Sequence, residues 1–153
     1  MVMINMKLEK KHVFRNLDFE TRDDYFDFIA DVLYKEGYVV ESYAQGLKDR
    51  EKEFPTGLPL AIGVAIPHTD ASYVKKDTFV VSTFKNPIEF GEMAGDEEDK
   101  VYVKLAIGIV MSNGEKHLEV LQNIIERIQD EQFVKNLVDA EDENSIVALF
   151  NEK

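Results

Sequence analysis

The amino-acid sequence predicts an α/β fold, a three-layer sandwich with a mixed central β-sheet and helices on both faces. Three observations predict it. Segments with helical apolar spacing come first, then strand-like runs with further helices after them, an order that builds layers on both sides of a sheet. Val101 to Met111 is almost wholly apolar, as expected of a central strand covered on both faces. Ser82 to Lys104 is too short for a crossover helix, so some neighbouring strands must run antiparallel.

Val2 to Phe14, with Val2, Ile4, Met6 and Leu8 alternating, reads as a short strand or arm, and Lys10-Lys11-His12 as a solvated basic patch. Thr21 caps the first helix, with Asp23 and Asp24 in the first turn, where carboxylates suit the helix dipole. Tyr25, Phe28, Ile29, Val32 and Leu33 then recur at helical spacing until Gly37 stops the helix. A second helix is expected over Glu41 to Phe54, with Tyr43, Leu47 and Phe54 apolar. Most of its charged run, Lys48 to Glu53, reads as a solvated face.

Pro55-Thr56-Gly57-Leu58-Pro59 is a dense turn signal. Ala61 to Ile66 reads as a strand that delivers His68, and Asp77 to Lys85 as a β-branched and aromatic strand. Asn86-Pro87 separates that strand from a short segment, Ile88 to Phe90, and the acidic loop Gly91 to Asp99 follows. After Val101 to Met111, Ser112 and Glu115 form a capping box for a helix running to about Gln129. Leu118, Leu121, Ile124, Ile125 and Ile128 are expected inward, with His117 in the first turn. Glu131 to Val138 and Ser145 to Phe150 read as two closing helices.

Length suits one domain over residues 1–153, large enough to bury about two-thirds of its unfolded surface. An apolar fraction of 44% and a charged fraction of 31% describe an ordinary soluble globular protein. With no cysteine in the chain, disulfides, thiol catalysis and zinc–thiolate sites are excluded. No apolar run approaches the roughly 18 residues of a membrane span, and Met1 to Lys11 carries no cleavable leader, so a cytoplasmic location is expected. The net charge of −12 argues against nucleic acid, which is bound by neutralising phosphates. It fits either a partner with a basic surface or plain solubility.

Chemistry concentrates at Gly63-Val64-Ala65-Ile66-Pro67-His68-Thr69-Asp70. An apolar strand ends in proline and places a histidine at the mouth of a polar turn, where a scaffold exposes reactive side chains. His117 also follows an apolar strand, and if the two strands are neighbours both imidazoles meet at one sheet edge. Its helix start biases His117 toward the neutral form and offers free backbone N–H groups for a phosphate. Three chemistries fit. His68, Asp70 and His117 would make a sparse metal site. His68 as the general base of a hydrolase lacks a nucleophile elbow. A phosphorylated histidine needs an exposed neutral imidazole, a cation and N–H donors.

Arg50-Glu51-Lys52-Glu53-Phe54-Pro55-Thr56-Gly57-Leu58, followed by Val64-Ala65-Ile66-Pro67-His68, resembles the enzyme IIA domains of the sugar phosphotransferase system. Within them it is similar to the mannitol/fructose class and most similar to the galactitol-specific branch. The resemblance covers nearly the whole chain and implies the mannitol-type enzyme IIA fold. It implies a phosphocarrier that takes a phosphoryl group from phospho-HPr on His68. The group then passes to a cysteine of a cognate enzyme IIB, through which the membrane enzyme IIC is served. Arg50 would be the cation on the phosphoryl oxygens, and His117 the second active-site histidine. Family members use the Nε2 nitrogen.

Thr56 and Thr69 are hydroxyl donors near the motif, Thr56 also being placed to cap a turn. Asp70 either orients the His68 ring or solvates the turn. No cofactor and no metal are implied. Thr69 stands where mannitol- and fructose-type members commonly carry glycine, which fits the galactitol-like branch and leaves the sugar open. The chain is expected to be free-standing, with the enzyme IIB cysteine and membrane parts on other chains. A regulatory phosphoacceptor of the same fold is the alternative.

Overall fold

The computed structural model describes residues 6–152. Five strands form one sheet: β1 (Val13–Leu17), β2 (Gly57–Leu58), β3 (Gly63–Ala65), β4 (Thr78–Gly91) and β5 (Lys100–Val110). Their order across the sheet is β1-β4-β5-β3-β2. The pairs β1–β4 and β3–β5 are parallel, while β4–β5 and β2–β3 are antiparallel, so the sheet is mixed as expected.

Alternation along the strands explains the layers. Val80, Phe84, Val103 and Ala106 face α1 (Arg22–Lys35) and α2 (Tyr43–Glu53), packing with Tyr25, Phe26, Ile29 and Leu47. Phe79, Val81, Ile107 and Ile109 face the other way. There they meet Ile124, Leu137 and Phe150 of α3 (Gly114–Ile128), α4 (Glu131–Asp139) and α5 (Glu143–Asn151). Period two in the strands and 3.6 in the helices thus produce two cores, one on each side of the sheet. Thr21 caps α1 by accepting from the Asp24 N–H at 3.1 Å, and Gly37 takes up φ +82° just beyond it. Among the described residues no helix is long and apolar enough to cross a membrane.

Several local expectations need correction. The N-terminal segment is strand only from Val13 onward: before it, Leu8 docks on α5, its backbone bonded to the Asn151 side chain at 2.8 and 3.0 Å. Val2, Ile4 and the rest of 1–5 lie outside the described residues. His12 is buried rather than solvated, with Nδ1 2.7 Å from Thr78 Oγ1 and Nε2 2.7 Å from Glu36 Oε1. A single 3-10 turn, Lys10–His12, turns the imidazole inward while Lys11 Nζ lies 5.0 Å from the centre of the Tyr38 ring.

Leu58 and Gly57, expected in a turn, form a strand against β3. β4 runs straight through Asn86-Pro87, because the ladder with β5 breaks register between Thr83 and Ile88 and the proline needs no hydrogen bond there. The cap of α3 is Asn113, which accepts from the Glu115 and Lys116 N–H groups; Ser112 is taken by Asp77. Leu118 points outward at 59% exposure, and Val120 takes the inward position.

Candidate functional site

The site lies where β3 and β5 leave the sheet side by side. Gly63 allows the close approach: a Cβ there would stand 2.1 Å from the Tyr102 carbonyl oxygen. The Pro67 carbonyl accepts from the Ile109 N–H at 3.1 Å, extending the pairing to the residue before His68. Beyond β5, the Asp77 carboxylate takes the Ser112 N–H and hydroxyl at 2.7 and 2.9 Å. Asn113 then starts α3 and brings His117 into its first turn. Because β3 and β5 are parallel neighbours, the two imidazoles meet, with centroids 4.9 Å apart and planes at 82°.

His68 Nδ1 lies 2.7 Å from the Ile66 carbonyl oxygen, which can only accept. Nδ1 therefore carries the proton and Nε2 holds the free lone pair. Burial holds the His68 pKa below the ordinary histidine value. The Ile66 carbonyl and Asp70 pull the other way, and the Arg50 charge adds to the depression. Burial, then the neighbouring His68 and Arg50, push His117 down to about 4. Both rings are neutral near pH 7.

Arg50 sits in the last turn of α2, its guanidinium carbon 4.6 Å from the centre of the Phe54 ring. Nη1 is 4.0 Å from Asp70 Oδ1, a long and half-exposed pairing. Two buried side-chain nitrogen atoms among the described residues have no hydrogen-bond partner, Arg50 Nε and His117 Nε2. Both belong to side chains lining one cavity of about 280 Å³, shared with His68, Thr69, Asp70 and Leu118. Buried polar groups are ordinarily satisfied, and these two unpartnered atoms belong to side chains lining one cavity, where a polar ligand or water would satisfy them.

The structure thus brings together His68, His117, Arg50, Asp70 and Thr69. The Thr69 hydroxyl donates to the Gly46 carbonyl at 3.2 Å, and Asp70 faces Arg50 while the Ile66 carbonyl holds the His68 ring. Thr56 lies apart from the cavity lining, its hydroxyl donating to Glu51. Among the described residues no three His, Asp or Glu side chains are grouped to hold a metal ion.

Two residues near the site escape a reading of the sequence. Phe54, 52% exposed, covers the Arg50 guanidinium. Glu51 is buried at 1% exposure despite its place in a charged run. A signal for it exists, since Tyr43, Leu47 and Glu51 follow one another at four-residue spacing on one helix face.

Comparison with known proteins places this geometry. The family described as phosphoenolpyruvate-dependent sugar phosphotransferase system, EIIA 2, matches residues 6–153, and the chain belongs to that family. It is 33% identical over 147 residues to the mannitol-specific EIICBA component of Pasteurella multocida, covering 93% of this chain and 22% of that protein. It therefore spans about a fifth of the length of that relative. It is 28% identical over 123 residues to the galactitol-specific EIIA component of Escherichia coli, covering 80% of this chain and 81% of that one.

Among solved structures, the mannitol IIA of Escherichia coli superposes with a TM-score of 0.73 at 27% identity, over 94% of this chain and 99% of that one. Enzyme IIA from a complex with phosphorylated enzyme IIB of the mannitol system of Escherichia coli gives 0.75 at 27% identity, over 94% and 96%.

Proposed function

We propose that this EIIA family member is a phosphocarrier that accepts a phosphoryl group on Nε2 of His68 from phospho-HPr. It then donates the group to the cysteine of a cognate, galactitol-like enzyme IIB, which serves a membrane enzyme IIC. The carrying observation is the His68 Nδ1–H bond to the Ile66 carbonyl, which leaves the Nε2 lone pair free in a ring kept neutral by burial. In the first step that lone pair forms a bond to phosphorus as the bond from phosphorus to the donor histidine nitrogen breaks. In the second, a thiolate sulfur takes the phosphorus and His68 Nε2 leaves with the electron pair.

Such transfer asks the protein for position and charge stabilisation. Arg50 supplies the charge, and its unpartnered buried Nε–H is a donor in want of an acceptor oxygen. His117 Nε2, equally unpartnered, is a second contact for the phosphoryl group. Thr69 shapes the cavity wall, Asp70 keeps Arg50 near it, and Thr56 acts from behind through Glu51. We place the carrier in the cytoplasm as a single domain.

The test is labelling from phosphoenolpyruvate through enzyme I and HPr, read by intact mass. One acid-labile phosphoryl adduct is expected, absent from His68→Ala and discharged by a galactitol-type enzyme IIB. No adduct, beside a positive-control domain labelled in the same tube, defeats the reading. An adduct that no enzyme IIB discharges moves the protein to the regulatory class.

A further inference from the structure

The transfer chemistry makes no direct use of Glu51, and a carboxylate at 1% exposure is costly to bury unless it is well paired. Its partner is a single residue. Oε1 accepts the Thr56 N–H at 2.8 Å, and the Thr56 hydroxyl lies 2.9 and 3.0 Å from the two carboxylate oxygens. Thr56 immediately precedes β2, whose Gly57 pairs with Ala65 of β3, the strand that leads to His68. On its other side Glu51 adjoins Arg50, and the loop closed between Glu51 and Thr56 carries Phe54 over the Arg50 guanidinium. Arg50 itself has little to fix it: an ion pair at 4.0 Å and an Nε with no partner.

We propose that Glu51, acting through Thr56, is the positioning residue that holds Arg50 at the His68–His117 cavity. The clamp ties the end of α2 to the strand pair that delivers His68, so cation and nucleophile share one frame. Burial raises the Glu51 carboxyl to about 7, against the pull of Thr56, Arg22 and Arg50. Glu51→Gln therefore resembles its neutral form: the amide oxygen accepts the Thr56 N–H and the amide NH₂ donates to the hydroxyl. For its effect on rate, the inference rests on the phosphocarrier reading; for its effect on Arg50, it stands on geometry alone.

The experiment has two readouts. Solvent exchange of the Arg50 Nε–H by ¹⁵N NMR needs no phosphoryl transfer. Wild type and Glu51→Gln are expected to share a protected signal, with protection lowered at least about tenfold in Glu51→Ala. Phosphorylation of His68 is expected to slow about tenfold in Glu51→Ala and within about twofold in Glu51→Gln. Glu51→Ala combined with Arg50→Ala should be no slower than Arg50→Ala alone. Full Nε–H protection in a folded Glu51→Ala, or losses that multiply in the double variant, overturns the proposal.

If Glu51→Ala does not fold, Thr56→Val takes its place. A drop in protection of about threefold supports the clamp and unchanged protection overturns it. If wild type accepts no phosphoryl group, the carrier reading falls and the exchange readout alone decides.

Discussion

His12 and His68 are both buried imidazoles at the margins of one sheet, and their surroundings are opposites. Both ring nitrogens of His12 are engaged, by Thr78 and Glu36 at 2.7 Å each, and Tyr38 packs edge-on at 4.9 Å. His68 has Nδ1 fixed and Nε2 free, and beside it lie two buried polar atoms without partners. The first arrangement ties β4, the end of α1 and the N-terminal turn together. The second leaves His68 Nε2 unbonded beside the unpartnered Nε of Arg50 and Nε2 of His117. Local rules broken at one place and kept elsewhere are what single out the cavity for the proposed chemistry.

The largest test of the contrast is His68→Ala, expected to abolish phosphoryl acceptance in the mass assay while leaving the fold intact. Arg50→Lys comes next. Lysine keeps the charge but loses the planar fork, and transfer should slow about tenfold or more in rapid-quench kinetics. An unchanged rate removes Arg50 from the site. His12→Ala should do the reverse of His68→Ala. It removes the bonds to Glu36 and Thr78 and leaves a cavity, costing about 1–3 kcal/mol in urea unfolding, with the transfer rate of the folded protein within about twofold of wild type. A smaller effect is expected at the α3 cap, where Asn113→Ala should cost about 1 kcal/mol and reach the site only through His117.

Acid and base sharpen the comparison further. His117 binds its proton at about 4 when folded and near 6.5 when unfolded, so the unfolded chain holds more protons between those values. Its contribution is present above pH 6.5 and is lost as pH falls toward 4. Glu51 works in the opposite sense, raised from 4.5 to about 7 by burial, so its contribution is present below 4.5 and is lost as pH rises through 7. The two windows overlap and oppose each other in wild type, so urea unfolding should show stability falling from pH 4.5 to about 7 in His117→Gln and rising from about 4 to 6.5 in Glu51→Gln. Identical profiles in all three proteins count against both environments.

Much of this was legible in the residues themselves. The apolar run of β5, the helical spacing of Tyr25 to Leu33 and the shortness of Ser82 to Lys104 lead to a mixed sheet covered on both faces. The convergence of His68 and His117 follows from two strands that end on the same side. What stayed hidden depends on tertiary partners. Nothing local says that His12 turns inward, because Glu36 and Thr78 come from distant segments. Glu51 looks solvated until the helix face it shares with Tyr43 and Leu47 is packed. Pro87 reads as a strand end, yet a register break in the ladder accommodates it. Ser112 reads as a helix cap, but Asp77, far back in the chain, claims it.

The most direct measurement is ¹⁵N–³¹P NMR of the protein labelled at histidine and phosphorylated through HPr. The contrast between the two histidines predicts one phosphohistidine, at His68, bonded through Nε2. Phosphorus on Nδ1 of His68 or on His12 contradicts it, because those nitrogens are held in hydrogen bonds; phosphorus on His117, whose Nε2 is unpartnered, contradicts it by making the second histidine the acceptor.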